Sequence, residues 1–186
     1  MNVPLKKGID DDNYMRTFKI ISREVIERYR PNAIVMQCGA DSISYDKLGD
    51  FCLTVKGHGD CVKYIKSFGI PMMLLGGGGY TIENVSRCWT YETGVALDED
   101  LPNEMPITDY YTKYGPEYKL HQKPANHPNL NEKKFLDELI FNRIIIFFGH
   151  FIYYIIFIFD NIIILNFIDY FVFFLIIINF IFLTIV

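Results

Sequence analysis

The stretch that most constrains this chain is Pro71–Tyr80, PMMLLGGGGY, an apolar run that passes straight into four glycines and a tyrosine. Pro71 to Leu75 carry no charge, and proline is tolerated at the first position of a strand, so the run predicts a buried strand. The glycines permit positive φ and a close approach to a ligand or to another strand. Thr81 then opens a helix, with Ile82, Val85, Trp89 and, less regularly, Val95 near one face. The Tyr80 phenol is thereby placed just past a strand end, where open α/β sheets bind ligands.

A chain of 186 residues suggests one domain, or one domain and a fragment. Its formal charge of −4 argues against direct nucleic-acid binding. Cys38, Cys52, Cys61 and Cys88 show no C-x-x-C spacing and read as reduced thiols, neither a disulfide framework nor a zinc knuckle. Composition changes sharply near Arg143. From Ile144 to Val186 the chain is almost wholly Ile, Phe, Leu, Tyr and Asn, without Lys or Arg, so we divide it into residues 1–143 and a hydrophobic low-complexity tail, 144–186.

Within the first part, Met1–Gly8 is a short lead of unassigned register. Asp10–Asp12 form the acidic start of a helix, read as a solvated cap. Tyr14, Phe18, Ile21, Val25 and Tyr29 give that helix one apolar stripe, and it ends before Pro31. Ala33–Cys38 is a second strand, followed by Gly39 and, two residues later, Asp41. The polar stretch from Asp41 to Phe51 reads as a loop. Gly57–Phe68 is helical, with Cys61, Val62, Ile65 and Phe68 on one face and Lys63 and Lys66 on the other. Strand, helix, strand, helix is the βαβα order of a parallel sheet with right-handed crossovers.

Asp41 and the glycine loop then emerge at the same sheet edge. Asp41 reads either as a turn-capping carboxylate or as a functional group, and the convergence with Tyr80 weighs equally for the second. His58 reads as a hydrogen-bonded structural residue, and His121 and His127 lie in a loop rich in Pro and Asn. The chain holds no H-E-x-x-H, D-x-H, paired His-His or G-x-S-x-G, and the glycines do not form a phosphate-binding loop.

QCGADS at Gln37–Ser42, LTVKGH at Leu53–His58 and LGGGGYTIENVSRCWTYET at Leu75–Thr93 resemble the class I zinc-dependent histone deacetylases. PLKKGIDDDNY at Pro4–Tyr14, with Leu101–Pro106 and Asp109–Tyr111, extends the resemblance over about residues 1–140. It implies an arginase-like α/β fold, here the C-terminal part of a deacetylase catalytic domain. It further implies hydrolysis of ε-N-acetyl-lysine in histone tails, in the nucleus. Asp41 would be one of three Zn²⁺ ligands and Tyr80 the donor to the substrate carbonyl and its oxyanion. Leu48 would line the acetyl-lysine tunnel, and the Gly78 backbone would contact the bound lysine.

That chemistry needs these residue types. Zn²⁺ polarises a poor amide electrophile and lowers the pKa of a bound water, while a phenol supplies a preorganised oxyanion donor. The sequence departs from the family where an Asp-x-His should supply two further ligands and a histidine pair should supply the base and acid. Met1 stands at what resembles an internal position, and this chain alone is expected to be inactive. Lys47 and Glu83 stand where the family usually carries inositol-phosphate-binding arginines beside a corepressor, and a carboxylate at Glu83 opposes phosphate. Tyr45 occupies a rim position often held by a small residue.

The tail resembles nothing in the family. Ile144–Phe159 and Tyr170–Val186 are free of Lys, Arg, Asp and Glu but fall short of a standard membrane span of ~20 residues, and no basic flank follows them. The composition is that of translated AT-rich non-coding DNA, so read-through is the reading taken for it. A deacetylase-like fragment held at a membrane by this tail is the alternative.

Overall fold

The computed structural model describes residues 1–165 and 180–185, with side chains described through residue 149. Helix α1 spans Asp11–Tyr29. The Asp10 carboxylate accepts the Asn13 N–H at 2.9 Å, as an acidic cap should. Arg30 closes the helix at φ 50°, just before Pro31. The buried face carries Tyr14, Thr17, Ser22 and Ile26, whereas Tyr29 is exposed. The expected stripe through Tyr29 is therefore corrected. Thr17 and Ser22 can be buried because their hydroxyls donate to carbonyls one turn earlier, at 2.9 and 2.5 Å.

Strand β1 (Ala33–Cys38) leads through a short 3₁₀ turn, Ala40–Ser42, and a loop into helix α2 (Val55–Lys66). Strand β2 (Met72–Leu75) follows, then helix α3 (Ile82–Leu97). β1 and β2 pair in parallel, with Ile34 opposite Met72 and Gln37 opposite Leu75, which is the expected βαβα order. Helix α4 (Lys133–Leu165) runs through the compositional boundary at residue 143. Strand β3 (Phe180–Ile185) lies parallel to β1 on its other side, giving the sheet order β2-β1-β3. The result is an α/β arrangement of a small parallel sheet and four helices.

Ile34, Met36 and Cys38 alternate on the buried face of β1. They pack with Tyr14 and Ile26 of α1, with Cys61, Val62 and Ile65 of α2, and with Leu136 of α4. Two sequence expectations change here. β2 is half-buried: Met72 and Leu74 turn toward the core, but Met73 is 57% and Leu75 38% exposed, with no cover among the described residues. In α3, Ile82 is 77% exposed, and the buried positions are Asn84, Arg87, Cys88, Glu92 and Gly94. The expected face holds at Val85, Trp89 and Val95, which pack against the core, and fails at Ile82; the fully buried positions beside them are mostly polar and hydrogen-bonded.

The N-terminal lead, unplaced by sequence, is fixed by Asn131. Its side chain accepts the Lys6 N–H at 2.7 Å and donates to the Lys6 carbonyl at 2.8 Å. Among the described residues no helix is long and apolar enough to cross a membrane. The readings made for the tail side chains beyond residue 149, including most of Tyr170–Val186, lie outside the described residues.

Asp11 is more than a solvated cap. Its carboxylate accepts the Thr54 N–H at 2.8 Å and the Thr54 hydroxyl at 2.5 Å. Thr54 in turn caps α2 by accepting the Gly57 N–H at 3.0 Å, which starts that helix two residues before the expected Gly57. One carboxylate thus joins the amino ends of two helices. Asp11→Ala is expected to lower unfolding free energy by about 1.5–3 kcal/mol, the range for hydrogen bonds to a charged group. Urea unfolding followed by circular dichroism checks this, and an unchanged midpoint would contradict it.

Candidate active site

The site is built where β1 and β2 end. Beyond Cys38 the chain turns through Gly39, and the Ala40 N–H donates to the Gly78 carbonyl at 2.7 Å. That bond clamps the glycine loop onto the turn carrying Asp41. The approach leaves no room for side chains: a Cβ on Gly78 would lie 2.1 Å from Asp41 Oδ2. Gly49, in the returning loop, is tighter still, since its Cβ would lie 1.6 Å from the Asp41 carbonyl oxygen.

Asp41, Ser42, Leu48, Gly49, Phe51 and Tyr80 line a cavity of about 300 Å³. Sequence reasoning singled out Asp41, Leu48 and Tyr80, and the fold brings them to one cavity, with Gly78 against Asp41 behind it. Leu48 is 69% and Tyr80 47% exposed, as suits a rim residue and a tyrosine available to a ligand. Among the described residues no donor reaches the Asp41 carboxylate, so it is not spent on capping its own turn. Tyr45 does not line the cavity; its hydroxyl donates to the Pro124 carbonyl at 3.3 Å, and its φ of 69° lies in the left-handed region that favours glycine.

Three residues that matter here gave no sequence signal. The Asp46 carboxylate accepts four backbone N–H groups, from Leu48, Gly49, Tyr80 and Thr81. Burial pushes its carboxyl up, but those four bonds outweigh burial and hold it below the usual carboxylate range. A depressed carboxyl contributes stability above its unfolded pKa of about 3.9 and loses it only as acid protonates the folded form.

Ser42 and Glu92 are the other two, joined through His58. Ser42 Oγ lies 2.5 Å from His58 Nε2, and His58 Nδ1 lies 3.2 Å from Glu92 Oε1. A serine–histidine–carboxylate array suggests nucleophilic catalysis, but His58 is fully buried, Glu92 is 3% exposed, and Ser42, although in the cavity wall, is itself only 3% exposed. The array instead holds the turn that carries Asp41. His58 is thus the hydrogen-bonded structural residue the sequence suggested.

His58, Cys88 and Glu92 also lie close enough together to suggest a metal centre. Both His58 nitrogens are already engaged, and burial, then the Glu92 carboxylate, drive the Cys88 thiol far above its ordinary range. An imidazole with both nitrogens engaged is a poor ligand. All four cysteines are free and buried. In the cavity itself Asp41 is the one carboxylate among the lining residues, which include no histidine or cysteine. A catalytic zinc site takes three protein ligands, so these residues offer one ligand and not a complete site.

The histone deacetylase domain profile matches residues 1–96. Over 139 residues, 75% of this chain, the sequence is 54% identical to probable histone deacetylase 1-B of Xenopus laevis and 53% identical to human histone deacetylase 1. Probable histone deacetylase 19 of Zea mays is 54% identical over the same length. The chain spans 29% of the length of the frog and human proteins and 27% of the maize protein.

Two predictions follow from the crowding at Asp41. Gly49→Ala drives a Cβ into backbone and is expected to cost about 1–3 kcal/mol of stability. Gly78→Ala meets a carboxylate that can rotate, so it should cost less while turning Asp41 away from the cavity. Chemical denaturation ranks the two, and equal costs would contradict the distinction. As for metal, the isolated chain is expected to bind Zn²⁺ no better than its Asp41→Ala variant, because one carboxylate competes poorly with hydration. Stoichiometric zinc in the purified chain, lost in that variant, would reveal further ligands.

Proposed function

Given that the chain belongs to the histone deacetylase family, we propose that it supplies the tyrosine-bearing part of a site that hydrolyses ε-N-acetyl-lysine. The observation that carries this reading is the shared cavity of Asp41, Leu48 and Tyr80 at the end of a parallel β-strand pair. Residues 1–143 form the deacetylase portion on this reading, and 144–186 a tail outside it; the 139-residue span of the alignments supports that division.

Each residue has a role set by its chemistry. As water attacks the acetyl carbonyl, negative charge develops on oxygen, and the Tyr80 phenol donates a hydrogen bond to it. Leu48 offers an apolar rim against the methylenes of the lysine side chain. Gly78, without a Cβ, leaves its backbone accessible to that slender chain. Asp41 is one ligand for the zinc on which the family's chemistry depends. The cavity lining holds no histidine, so among the described residues nothing there serves as general base. The substrates proposed are acetylated histone tails, in a nuclear setting. Lys47 is exposed and can meet phosphate as a point charge, but Glu83 disfavours the inositol-phosphate-bridged corepressor contact.

A chimera tests the reading: the 139 aligned residues of human histone deacetylase 1 are replaced by those of this chain. Tyr80→Phe in that context keeps the ring and removes one hydroxyl. Turnover on an acetyl-lysine peptide is expected to fall by roughly 10²–10³-fold, mainly in kcat, the usual effect of deleting one oxyanion donor. Zinc content should not change. Near-normal turnover with zinc in place would remove Tyr80 from the mechanism.

A further inference from the structure

Asp46 holds two loops with one carboxylate. Oδ1 accepts the N–H groups of Leu48 at 2.8 Å and Gly49 at 3.0 Å. Oδ2 accepts those of Tyr80 at 2.7 Å and Thr81 at 3.2 Å, across 34 and 35 residues of chain. The first pair belongs to the loop that presents Leu48 and the second to the loop that presents Tyr80. Nearby bonds stitch the same seam: the Thr81 hydroxyl donates to the Tyr45 carbonyl at 2.9 Å, and the Asn84 amide to the Ser44 carbonyl at 3.2 Å.

The position also suits a negative charge. Thr81 is the N-cap of α3 but makes no side-chain cap bond of its own. The Asp46 carboxylate, accepting the N–H of this cap residue, lies at the positive end of the helix dipole. Charge-assisted bonds of this kind are stronger than neutral ones. Only a carboxylate has two acceptor oxygens to share between the loops. An asparagine there keeps one acceptor and turns an amide donor toward two N–H groups.

We propose that Asp46 is a positioning residue, fixing the Tyr80 backbone and the Leu48 rim as one unit so that the tyrosine is held over the cavity they share. The inference rests on the roles given above to Tyr80 and Leu48. It is distinct from general fold maintenance, because Asp46 is only half-buried and lies outside the core formed by β1, α1 and α2.

Backbone hydrogen exchange on the full chain reads the latch directly. In Asp46→Asn, exchange at the amides of one or both loops, Leu48 with Gly49 or Tyr80 with Thr81, is expected to accelerate on the order of tenfold. Ile34, Met36 and Ile65 amides should keep their protection. Unchanged loop amides would overturn the proposal, and so would equal acceleration throughout β1 and α2, which would mark Asp46 as a general stabiliser.

A double-mutant cycle in the chimera reads the consequence. Asp46→Asn alone should lower kcat on the order of tenfold or more with zinc content unchanged. Added to Tyr80→Phe, it should lower kcat little further, because the hydroxyl it positions is already gone. Fully additive losses, or an unchanged kcat in Asp46→Asn, would overturn positioning through Tyr80. Failure of the functional reading itself appears separately, as normal turnover in Tyr80→Phe alone.

Discussion

The close approach of two backbones at the ends of β1 and β2 governs the rest of this structure. Parallel pairing brings Gln37 opposite Leu75, and the chains beyond must then pass one another within a hydrogen bond, Ala40 N–H to Gly78 carbonyl, at 2.7 Å. Side chains would forbid that passage. Gly78 admits the Asp41 carboxylate into the space its own Cβ would fill, and Gly49 admits the Asp41 carbonyl. The cavity exists because the glycines bring backbone, and not bulk, to the strand ends. The approach also sets what can face the cavity: a carboxylate from one loop and a phenol from the next.

Behind that contact lies a sealed polar layer. A buried carboxylate costs several kcal/mol unless it is paired, yet Glu92 is only 3% exposed. It is paired with His58 Nδ1 at 3.2 Å, and its charge helps raise the thiols of Cys38 and Cys88, after burial itself. His58 hands the other side of its ring to Ser42, next in sequence to Asp41. Trp89 adds a bond from its indole N–H to the Cys38 carbonyl at 2.8 Å. These polar groups come from α2 and α3 and fasten the end of β1 to both helices. Apolar packing alone is non-directional and would not fix the rotation of a three-residue turn so closely.

The division between what the sequence revealed and what it concealed follows from the same physics. β1, α2 and β2 were readable because their apolar residues keep a strand or helix period, and α2 was misjudged by two residues at each end, its start being set by the Thr54 cap that Asp11 holds in place. In α3 the packing of Val85, Trp89 and Val95 was readable from their spacing, whereas the exposure of Ile82 and the burial of polar residues beside them were not. Asn84 and Arg87 are buried because distant carbonyls receive them, Ser44 for the first and Tyr114 and Lys119 for the second. No periodicity encodes a partner 27 to 40 residues away. Asp41 and Tyr80 were found because glycine punctuation marks strand ends. Asp46 was not, because an Asp three residues before a Gly reads as a local turn, and half of its work is just that.

Much of the positioning of Asp41 and Tyr80 is thus contained within residues 37–92, while the stretch around Phe51 is held also by the N-terminal lead, through the Gly8 N–H on the Asp50 carbonyl and the Cys52 N–H on the Ile9 carbonyl. Ser42 is held by His58 and Glu92, while the Tyr80 backbone is held by Asp46, and every partner lies on β1, α2, α3 or the loops between them. Besides Leu48, Tyr80 and Ile82 at the cavity loops, apolar side chains are exposed further away, at Met73, Leu75 and Leu97. These belong to the sheet face of β2 and the far end of α3, not to the supports of Asp41 and Tyr80. A group is preorganised when its own rotamer and backbone are fixed before a substrate arrives. The backbone part of that criterion is met: the carboxylate-bearing turn and the tyrosine-bearing loop are held by hydrogen bonds inside this stretch.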